Sequence, residues 1–211
     1  MILLHQEVTK FREWVSSVKY LHSETLNVED GCLYSQWWHL FEIILAFLNA
    51  SINYPWSVQE VNDILYVMGW DNECENLVDE IEKNPDVLVK LASLALSSSE
   101  DDAKWQLADR LGNLSSKPAE SLLLKFVNDK DEYVRRRALM AIGRMKSQYA
   151  EALAEKSWET GEEYQRIAAL WVLKDIASSK LTEYLQKAIE DGRHFVIKNA
   201  HQIRELLKSE I

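Results

Sequence analysis

The feature that most constrains the fold of this chain is a repeat in its second half. The segment DKDEYVRRRALMAIGRM, at 129–145, aligns residue by residue with TGEEYQRIAALWVLKDI, at 160–176, which defines a 31-residue period. One more step of the same length reaches 191–207, and one step back reaches 99–114. A fixed period of this size is typical of stacked supersecondary units, because one such unit cannot bury its apolar face alone.

Each repeat unit has the pattern of two helices joined by a turn. In the best-defined unit, the apolar residues Val134, Ala138, Ala141 and Met145 recur at helical spacing. The chain holds only six Gly and three Pro, a low breaker content that also favours helices. We therefore predict an all-α fold, an α-solenoid of about four helical hairpins over residues 85–211 with an atypical N-terminal helical cap over residues 1–84. The predicted turn and capping residues are Ser116 before Pro118, Asp129, Asp131, Gly161 and Asp191-Gly192.

The pattern Asp-x-x-x-Val-Arg-x-x-Ala-x-x-Ala/Ile-Gly resembles HEAT repeats, most closely the short HEAT-like repeats of the phycobilisome-lyase type. The resemblance covers roughly residues 86–211 and is strongest at 129–145. It implies that Arg135 and Arg166 are repeat arginines that bond to acceptors of the adjoining unit as a structural ladder. The acceptors that we expect are Asp129, Asp131 and Glu162. Such repeats serve inhibitors, scaffolds, lyases and DNA-repair enzymes alike, so the resemblance predicts fold rather than function.

The N-terminal part of the chain, 1–84, lacks the repeat but has helical patterns of its own. Ser57 with Glu60 predicts a capping box for a helix that ends near Gly69, and Asn72 with Glu75 predicts the start of an acidic helix that stops at Asn84-Pro85. Two further apolar stripes predict two earlier helices. One consists of Leu4, Val8, Phe11, Val15 and Val18, and the other of Leu33, Trp37, Leu40, Ile44 and Phe47.

Acidic residues are concentrated in the N-terminal part of the chain. The net charge is −10, and residues 1–90 hold five basic against fifteen acidic side chains, which accounts for all of it. Such a field disfavours a nucleic-acid partner. One interpretation of the run at 71–82 is a solvated helix face; the other is an acidic, tryptophan-rich patch that binds a basic partner. The candidate residues of this patch are Trp70, Asp71, Glu73, Glu75 and Asp79.

The compartment and the chemistry of small ligands are constrained mainly by what the sequence lacks. Cys32 and Cys74 have no CxxC or His at ligand spacing, so we expect reduced, packed thiols rather than a disulfide or a zinc site. His39 and Glu42 form an H-x-x-E without a third ligand, so we expect no metal and no cofactor. The start MILLHQEVTKFREW has too few apolar residues for a signal peptide, and we expect a cytoplasmic protein without a membrane partner.

The second helices of the repeats carry the candidate binding residues. A helical wheel places aromatic, apolar and basic side chains outward, and Arg136, Arg137 and Arg144 form a dense basic patch with Lys146. Exposed apolar residues rimmed by charge are typical of a binding surface, and Trp and Arg are enriched in hot spots. The alternative is that Trp105 and Trp171 are packed core residues. The outward set is Trp105, Asp109, Tyr133, Arg136, Met140, Gly143, Arg144, Ile167, Trp171 and Lys174.

Three short segments on the same helices resemble portions of the HEAT-like alkylpurine DNA glycosylases. They are KWQLAD (104–109), YVRRRA (133–138) and RIAALWVLKDIA (166–177). The resemblance implies that Trp105 and Trp171 embrace a cationic alkylated base, that Asp109 stabilises an oxocarbenium-like transition state, and that Arg136 holds a phosphate.

Three functions follow from these patterns. The first is a non-catalytic protein–protein interaction module, including an immunity or inhibitor protein that binds a basic partner through the concave face or the acidic N-terminal surface. The second is the glycosylase, and the third is a lyase- or chaperone-type repeat subunit. The first is favoured because the sequence contains no catalytic constellation beyond the glycosylase-like residues.

Overall fold

A computed structural model describes residues 2–21 and 33–209 of the chain. Over these residues the secondary structure consists of twelve α-helices, with no strand. None of the helices in the described part is both long and apolar enough to cross a bilayer. The helices are α1 (Ile2–Leu21), α2 (Trp37–Ser51), α3 (Val58–Trp70), α4 (Asn76–Glu82), α5 (Pro85–Ala95), α6 (Asp101–Leu111), α7 (Lys117–Phe126), α8 (Glu132–Arg144), α9 (Ala150–Glu159), α10 (Glu163–Asp175), α11 (Leu181–Glu190) and α12 (His194–Ser209).

Packing divides the chain into two compact units, Met1–Arg110 and Leu111–Ile211. The division falls later than the domain boundary that the sequence predicts between residues 84 and 85. The physical reason is that α6 is bonded to elements before it. Gln106 Nε2 donates to the carbonyl oxygen of Met68 over 2.9 Å, and Arg110 binds carboxylates around α4. The hairpin of α5 and α6 therefore belongs to the first unit.

The first unit is built on the apolar stripes of α1 and α2. The α1 stripe is buried from Leu4 to Val15, as predicted. In α2, Trp37, Leu40 and Ile44 are buried, but the prediction for Leu33 is wrong, because this residue precedes the helix and is 70% exposed. The rings of Trp37, Tyr34 and Trp70 surround the ring of Phe11, with centroids 5.2–6.0 Å away. An aromatic cluster on Phe11 thus forms the centre of this unit.

Capping patterns in the sequence predict where α3 and α4 begin, and only the first of these two predictions is confirmed. The capping box of Ser57 and Glu60 is present in full and begins α3. The predicted start of the acidic helix at Asn72 is wrong, since α4 begins at Asn76. The N-cap position is Glu75, which makes no side-chain cap bond, and Asp71 Oδ2 instead accepts the Leu77 amide N–H over 2.6 Å.

The short turn before α4 also decides the position of one cysteine. Glu75 adopts the left-handed conformation, with φ of 54°, and its amide donates to the Asp71 carbonyl oxygen. Cys74 is exposed in this turn, so the prediction of a packed thiol is wrong for it. Cys32 lies outside the described residues.

The second unit stacks three helical hairpins, formed by α7 with α8, α9 with α10 and α11 with α12. The predicted starts of α7 and α8 are confirmed, because Ser116 and Asp131 accept the amide N–H groups of Ala119 and Val134. Gly161 and Gly192 have positive φ, which glycine adopts readily, in the turns that join α9 to α10 and α11 to α12. Together with the hairpin of α5 and α6, these units make up the four predicted hairpins.

The repeat is visible in bonds as well as in sequence. Ser147 Oγ donates to Glu120 over 2.5 Å, and at the equivalent position of the next hairpin Ser178 Oγ donates to Glu151 over 2.6 Å. Lys146 and Ala177, again in equivalent positions, are both left-handed residues that end the second helix of their hairpin. The first two hairpins of this unit therefore share the same side-chain contact to the following loop and end with the same backbone turn.

The predicted arginine ladder is confirmed. Arg135 Nη1 donates to the carbonyl oxygens of Asp129 and Lys130, and its Nη2 donates to Glu162 of the next hairpin over 2.8 Å. Arg166 Nε donates to the Trp158 carbonyl oxygen, and its Nη1 binds Asp191 of the following hairpin. These two arginines thus bind acceptors of their own and of the following hairpin, as the resemblance implies.

One residue of the predicted outward set, Gly143, lies inside the stack. It is buried, and a Cβ built on it would lie 2.9 Å from Cγ2 of Val172. The prediction that it faces outward is wrong because α8 and α10 approach each other there too closely for any side chain larger than hydrogen.

Candidate functional site

In the second unit, α8 and α12 pack against α10, so the three second helices form one continuous face. The first turn of each helix carries an aromatic residue at the same position of the repeat, namely Tyr133, Tyr164 and Phe195. Tyr164 is 47% exposed and Phe195 is 49% exposed, while Tyr133 is half-buried. We call these three residues the aromatic row. Apolar side chains that are exposed together on one face are typical of interaction sites.

Arg136 lies between two members of the aromatic row. Its guanidinium carbon is 4.5 Å from the ring centroid of Tyr133 and 4.7 Å from that of Tyr164. The carboxylate of Glu132 is 3.7 Å from its Nε, which is buried without a hydrogen-bond partner. The rings and Glu132 therefore hold the cation in a fixed position at the junction of two repeats.

The next turns of the helices continue the face with apolar residues. Met140, Ile167 and Trp171 are half-buried, as expected for side chains that pack at their base and remain accessible at their tip. Trp171 Nε1 donates to Asn199 Oδ1 over 2.8 Å, so α12 fixes the orientation of the indole. Lys174 Nζ is 5.9 Å from the same indole ring. The sequence left two possibilities for Trp171, an outward residue or a packed one. The structure shows an intermediate case, in which the indole is half-buried.

Charged residues of both signs lie on this face. Arg136 and Arg137 lie beside the aromatic row, and Arg137 is 5.8 Å from the ring of Tyr133. The acidic residues of the same three helices are Glu132, Glu163, Asp175 and Glu205, and Lys174 Nζ lies 3.8 Å from Asp175 Oδ1. The basic residues of the face are Arg136, Arg137, Arg144, Lys174 and Lys198. We call the aromatic row with Met140, Ile167, Trp171 and these five cations the second-helix face.

In the first unit, α6 does not continue this pattern. Trp105 is 6% exposed, and its Nε1 donates to Asp102 over 3.3 Å. Asp109 is also buried, and its Oδ2 accepts from Arg110 Nη1 over 3.0 Å. The prediction that these two residues face outward is wrong, because both side chains are buried and hydrogen-bonded within the unit. Because the indole of Trp105 is buried, its face is not accessible for stacking on a base, which argues against the glycosylase hypothesis.

The acidic segment at 71–82 is bound largely by a residue of its own unit. Arg110 Nη2 lies 2.6 Å from Glu75 Oε2 and 2.7 Å from Asp79 Oδ1, and Arg110 Nε lies 3.3 Å from Glu82 Oε2. The Arg110 side chain is only 15% exposed. Burial opposes its charge, but these carboxylates still raise the pKa of Arg110. The predicted acidic patch is therefore partly neutralised from within.

Two further residues of the predicted acidic patch point inward. Asp71 is 1% exposed, and burial raises its pKa to about 6 even though the Leu77 amide stabilises the charged form. Trp70 is half-buried and stacks edge-on against Phe11. Glu73 is exposed and remains on the surface. The expectation of one open patch from Trp70 to Asp79 is wrong for its first two members, because they cap and pack the unit.

Sequence reasoning overlooked four residues of these two sites. Tyr164 and Phe195 align with Tyr133 in the 31-residue register, so their column was the signal that could have shown the aromatic row. Asn199 and Arg110 left no such signal, since both act on residues distant in sequence. In the described residues no three His, Cys, Asp or Glu side chains are grouped so that they could hold a metal ion, and His39 and Glu42 are both exposed.

Comparison with protein-family models agrees with the repeat architecture. The model of HEAT repeats matches residues 88–159 and, in a second overlapping match, residues 121–203. A search of curated proteins gave no match.

Proposed function

This chain belongs to the HEAT repeat family, whose repeats are commonly protein-interaction modules, and we propose that it is a non-catalytic protein-binding module that uses the second-helix face. The observation that carries the proposal is the aromatic row with Arg136 fixed between two of its rings. Partly exposed aromatic and arginine side chains on one rigid surface are the residue types that dominate binding energy in protein interfaces.

The rigidity of the face supports the same function. Arg136 is held by two rings and Trp171 by Asn199, so neither side chain has to be ordered when a partner binds. Preorganised side chains lose less conformational entropy on association, which increases affinity for a given contact area.

An immunity or inhibitor protein with a basic partner is a narrower function that the acidic segment suggests. It stays a prediction. Glu75, Asp79 and Glu82 already lie within 3.3 Å of Arg110, so a basic partner would have to compete with a partly buried arginine.

The test is affinity purification with the full chain as bait. We expect a protein that the wild type retains to be lost with Trp171→Ala and with Arg136→Glu, because both changes remove a fixed anchor of the face. Lys125→Glu is the matched control, since it reverses a charge at an exposed position of the first helix α7. Circular dichroism should show wild-type helicity for all three variants, with only a modest fall in melting temperature for Trp171→Ala and Arg136→Glu. Retention of the same proteins by every variant would contradict the proposal.

A further inference from the structure

We propose that a cavity between the hairpin of α7 and α8 and the hairpin of α9 and α10 binds a small aromatic carboxylate. We call the contact between these two hairpins the first junction. The cavity has a volume of about 310 Å³, which gives room for roughly ten non-hydrogen atoms if each takes the volume of a water molecule. It shares no residue with the second-helix face. Its lining includes Val127, Arg135, Leu153, Lys156, Ser157 and Gln165.

The second junction, between the hairpin of α9 and α10 and that of α11 and α12, has larger side chains at the equivalent positions. One repeat later, Trp158 and Tyr184 stand where the first junction has Val127 and Leu153. Both aromatic residues are buried, and their rings pack edge to face with centroids 5.3 Å apart. The first junction therefore lacks two rings that the second one has, and its cavity is lined by the two smaller residues.

The cations beside these positions are the same in both junctions. In the second junction, the guanidinium carbon of Arg166 is 5.0 Å from the centroid of the indole, and Lys187 Nζ is 4.5 Å from the centroid of the phenol ring. Arg135 and Lys156 are their equivalents in the first junction, and both line the cavity. An aromatic ring in the cavity would therefore lie beside the same two kinds of cation, which attract the face of a ring.

The same comparison indicates a carboxylate on the ligand. In the second junction, Lys187 Nζ pairs with Glu183 Oε1 over 2.7 Å. The first junction has Ala152 at the position of Glu183, and Lys156 Nζ donates instead to the neutral Asn128 Oδ1 over 3.0 Å. A carboxylate on the ligand would supply the charged partner that Lys187 has within the chain.

The cavity also has a polar wall that its counterpart lacks. Ser157 and Gln165 are 7% and 3% exposed, and one repeat later their positions hold the apolar residues Ala188 and Val196. Ser157 Oγ donates to Gln165 Oε1 over 2.5 Å, so the two side chains fix each other. A mainly apolar cavity with a few fixed polar groups is typical of a small-molecule site.

The test is an NMR titration of the full chain, followed through its backbone amide chemical shifts. The probe is phenylacetate, which combines one ring and one carboxylate in a molecule of suitable size. We expect a Kd below about 1 mM, with larger shift changes at residues 152–157 than at the equivalent residues 183–188. Phenylacetamide lacks the charge and cyclohexylacetate lacks the aromatic ring, so each should bind at least about threefold more weakly.

Variants that copy the second junction into the first one test the location. Leu153→Tyr should weaken phenylacetate binding at least about tenfold, because its ring would take up the cavity. Ala152→Glu and Lys156→Gln should each weaken it about threefold, the first by pairing with Lys156 and the second by removing the charge. Lys125→Gln is the matched control, since Lys125 has the same repeat position one hairpin earlier and does not line the cavity. Ala152, Lys156 and Lys125 are exposed, so their variants should keep the fold.

The absence of shift changes at about 10 mM phenylacetate would overturn the proposal. Unchanged binding by Ala152→Glu, Lys156→Gln and folded Leu153→Tyr would also overturn it, because the ligand would then lie elsewhere. Equal binding of phenylacetamide would contradict the carboxylate, and equal binding of cyclohexylacetate would contradict the ring. None of these results affects the second-helix face, which the affinity purification tests separately.

Discussion

Arg110 in the first unit and Arg136 in the second are both mostly covered arginines, with side chains 15% and 23% exposed, but their surroundings differ. Arg110 lies among the carboxylates of Glu75, Asp79 and Glu82, which bind it at 2.6–3.3 Å. Arg136 lies between two tyrosine rings that belong to a partly exposed row. The comparison shows that the density of charge along a sequence differs from the charge that a partner can reach, because Arg110 on α6 neutralises carboxylates of the acidic segment within the same unit.

The largest expected effect is on the first unit. Arg110→Ala removes the shared partner of several partly buried carboxylates and leaves them to repel one another, so we expect the free energy of unfolding to fall by about 3 kcal/mol. Urea denaturation of the full chain measures this change. Lys83→Ala is the control, because Lys83 makes an exposed pair with Glu80 on the same acidic segment and should leave stability almost unchanged. If Arg110→Ala lowered the free energy of unfolding no more than Lys83→Ala does, Arg110 would not be the structural cation that the comparison with Arg136 assumes.

A smaller effect is expected at Asp71. Its pKa is raised from 3.8 to about 6 in the folded protein, so the folded state holds the proton more tightly than the unfolded state. Stability from this group is therefore present at low pH and is lost as pH rises from about 4 to about 6. Asp71→Asn keeps an oxygen for the Leu77 amide and cannot ionise, and we expect it to gain about 2 kcal/mol relative to the wild type over that range.

Denaturation of both proteins at pH values from acid to neutral tests this prediction for Asp71. Glu73→Gln provides the matched control, since Glu73 is an exposed carboxylate in the same turn. A stability difference between wild type and Asp71→Asn that does not change with pH would show that the carboxylate is hydrated, which would contradict its burial.

The smallest expected effect is on the second unit. Arg136→Ala removes contacts with two rings but leaves no buried carboxylate behind, so we expect a loss of only about 1 kcal/mol. The same denaturation measurement as for Arg110→Ala makes the two values directly comparable. A loss as large as that for Arg110 would mean that Arg136 is a structural residue, and it would weaken the case for a binding face.

The repeat and its caps were predictable because they depend on local chemistry. The second-unit hairpins, the Ser116 and Asp131 caps and the Arg135 ladder follow from residues that recur within one or two turns or at the fixed spacing of the repeat. Asn72 and Glu75 fit a capping box, so the acidic helix was predicted to start at Asn72. In the structure the buried Asp71 carboxylate accepts the Leu77 amide N–H, and the helix starts later, at Asn76.

The exposure of the candidate residues was less predictable. A helical wheel assigns the same outward column to Trp105 and Trp171, yet Trp105 is buried and Trp171 is half-buried. The wheel describes one helix and contains no information on what packs against it. The aromatic row could have been predicted from the sequence, because Tyr133, Tyr164 and Phe195 occupy the same position of the 31-residue repeat. Their accessibility to solvent could not.

The sequence by itself determined the helical class, the 31-residue period and the family, because apolar periodicity and capping chemistry act over a few neighbouring residues. Tertiary structure alone decided which charges remain available to a partner. Arg110 meets Glu75 and Asp79, and Trp171 meets Asn199, across long stretches of intervening chain. Contacts of this kind depend on how helices pack together, so side chains of the same type ended as structural partners in one unit and as a candidate binding face in the other.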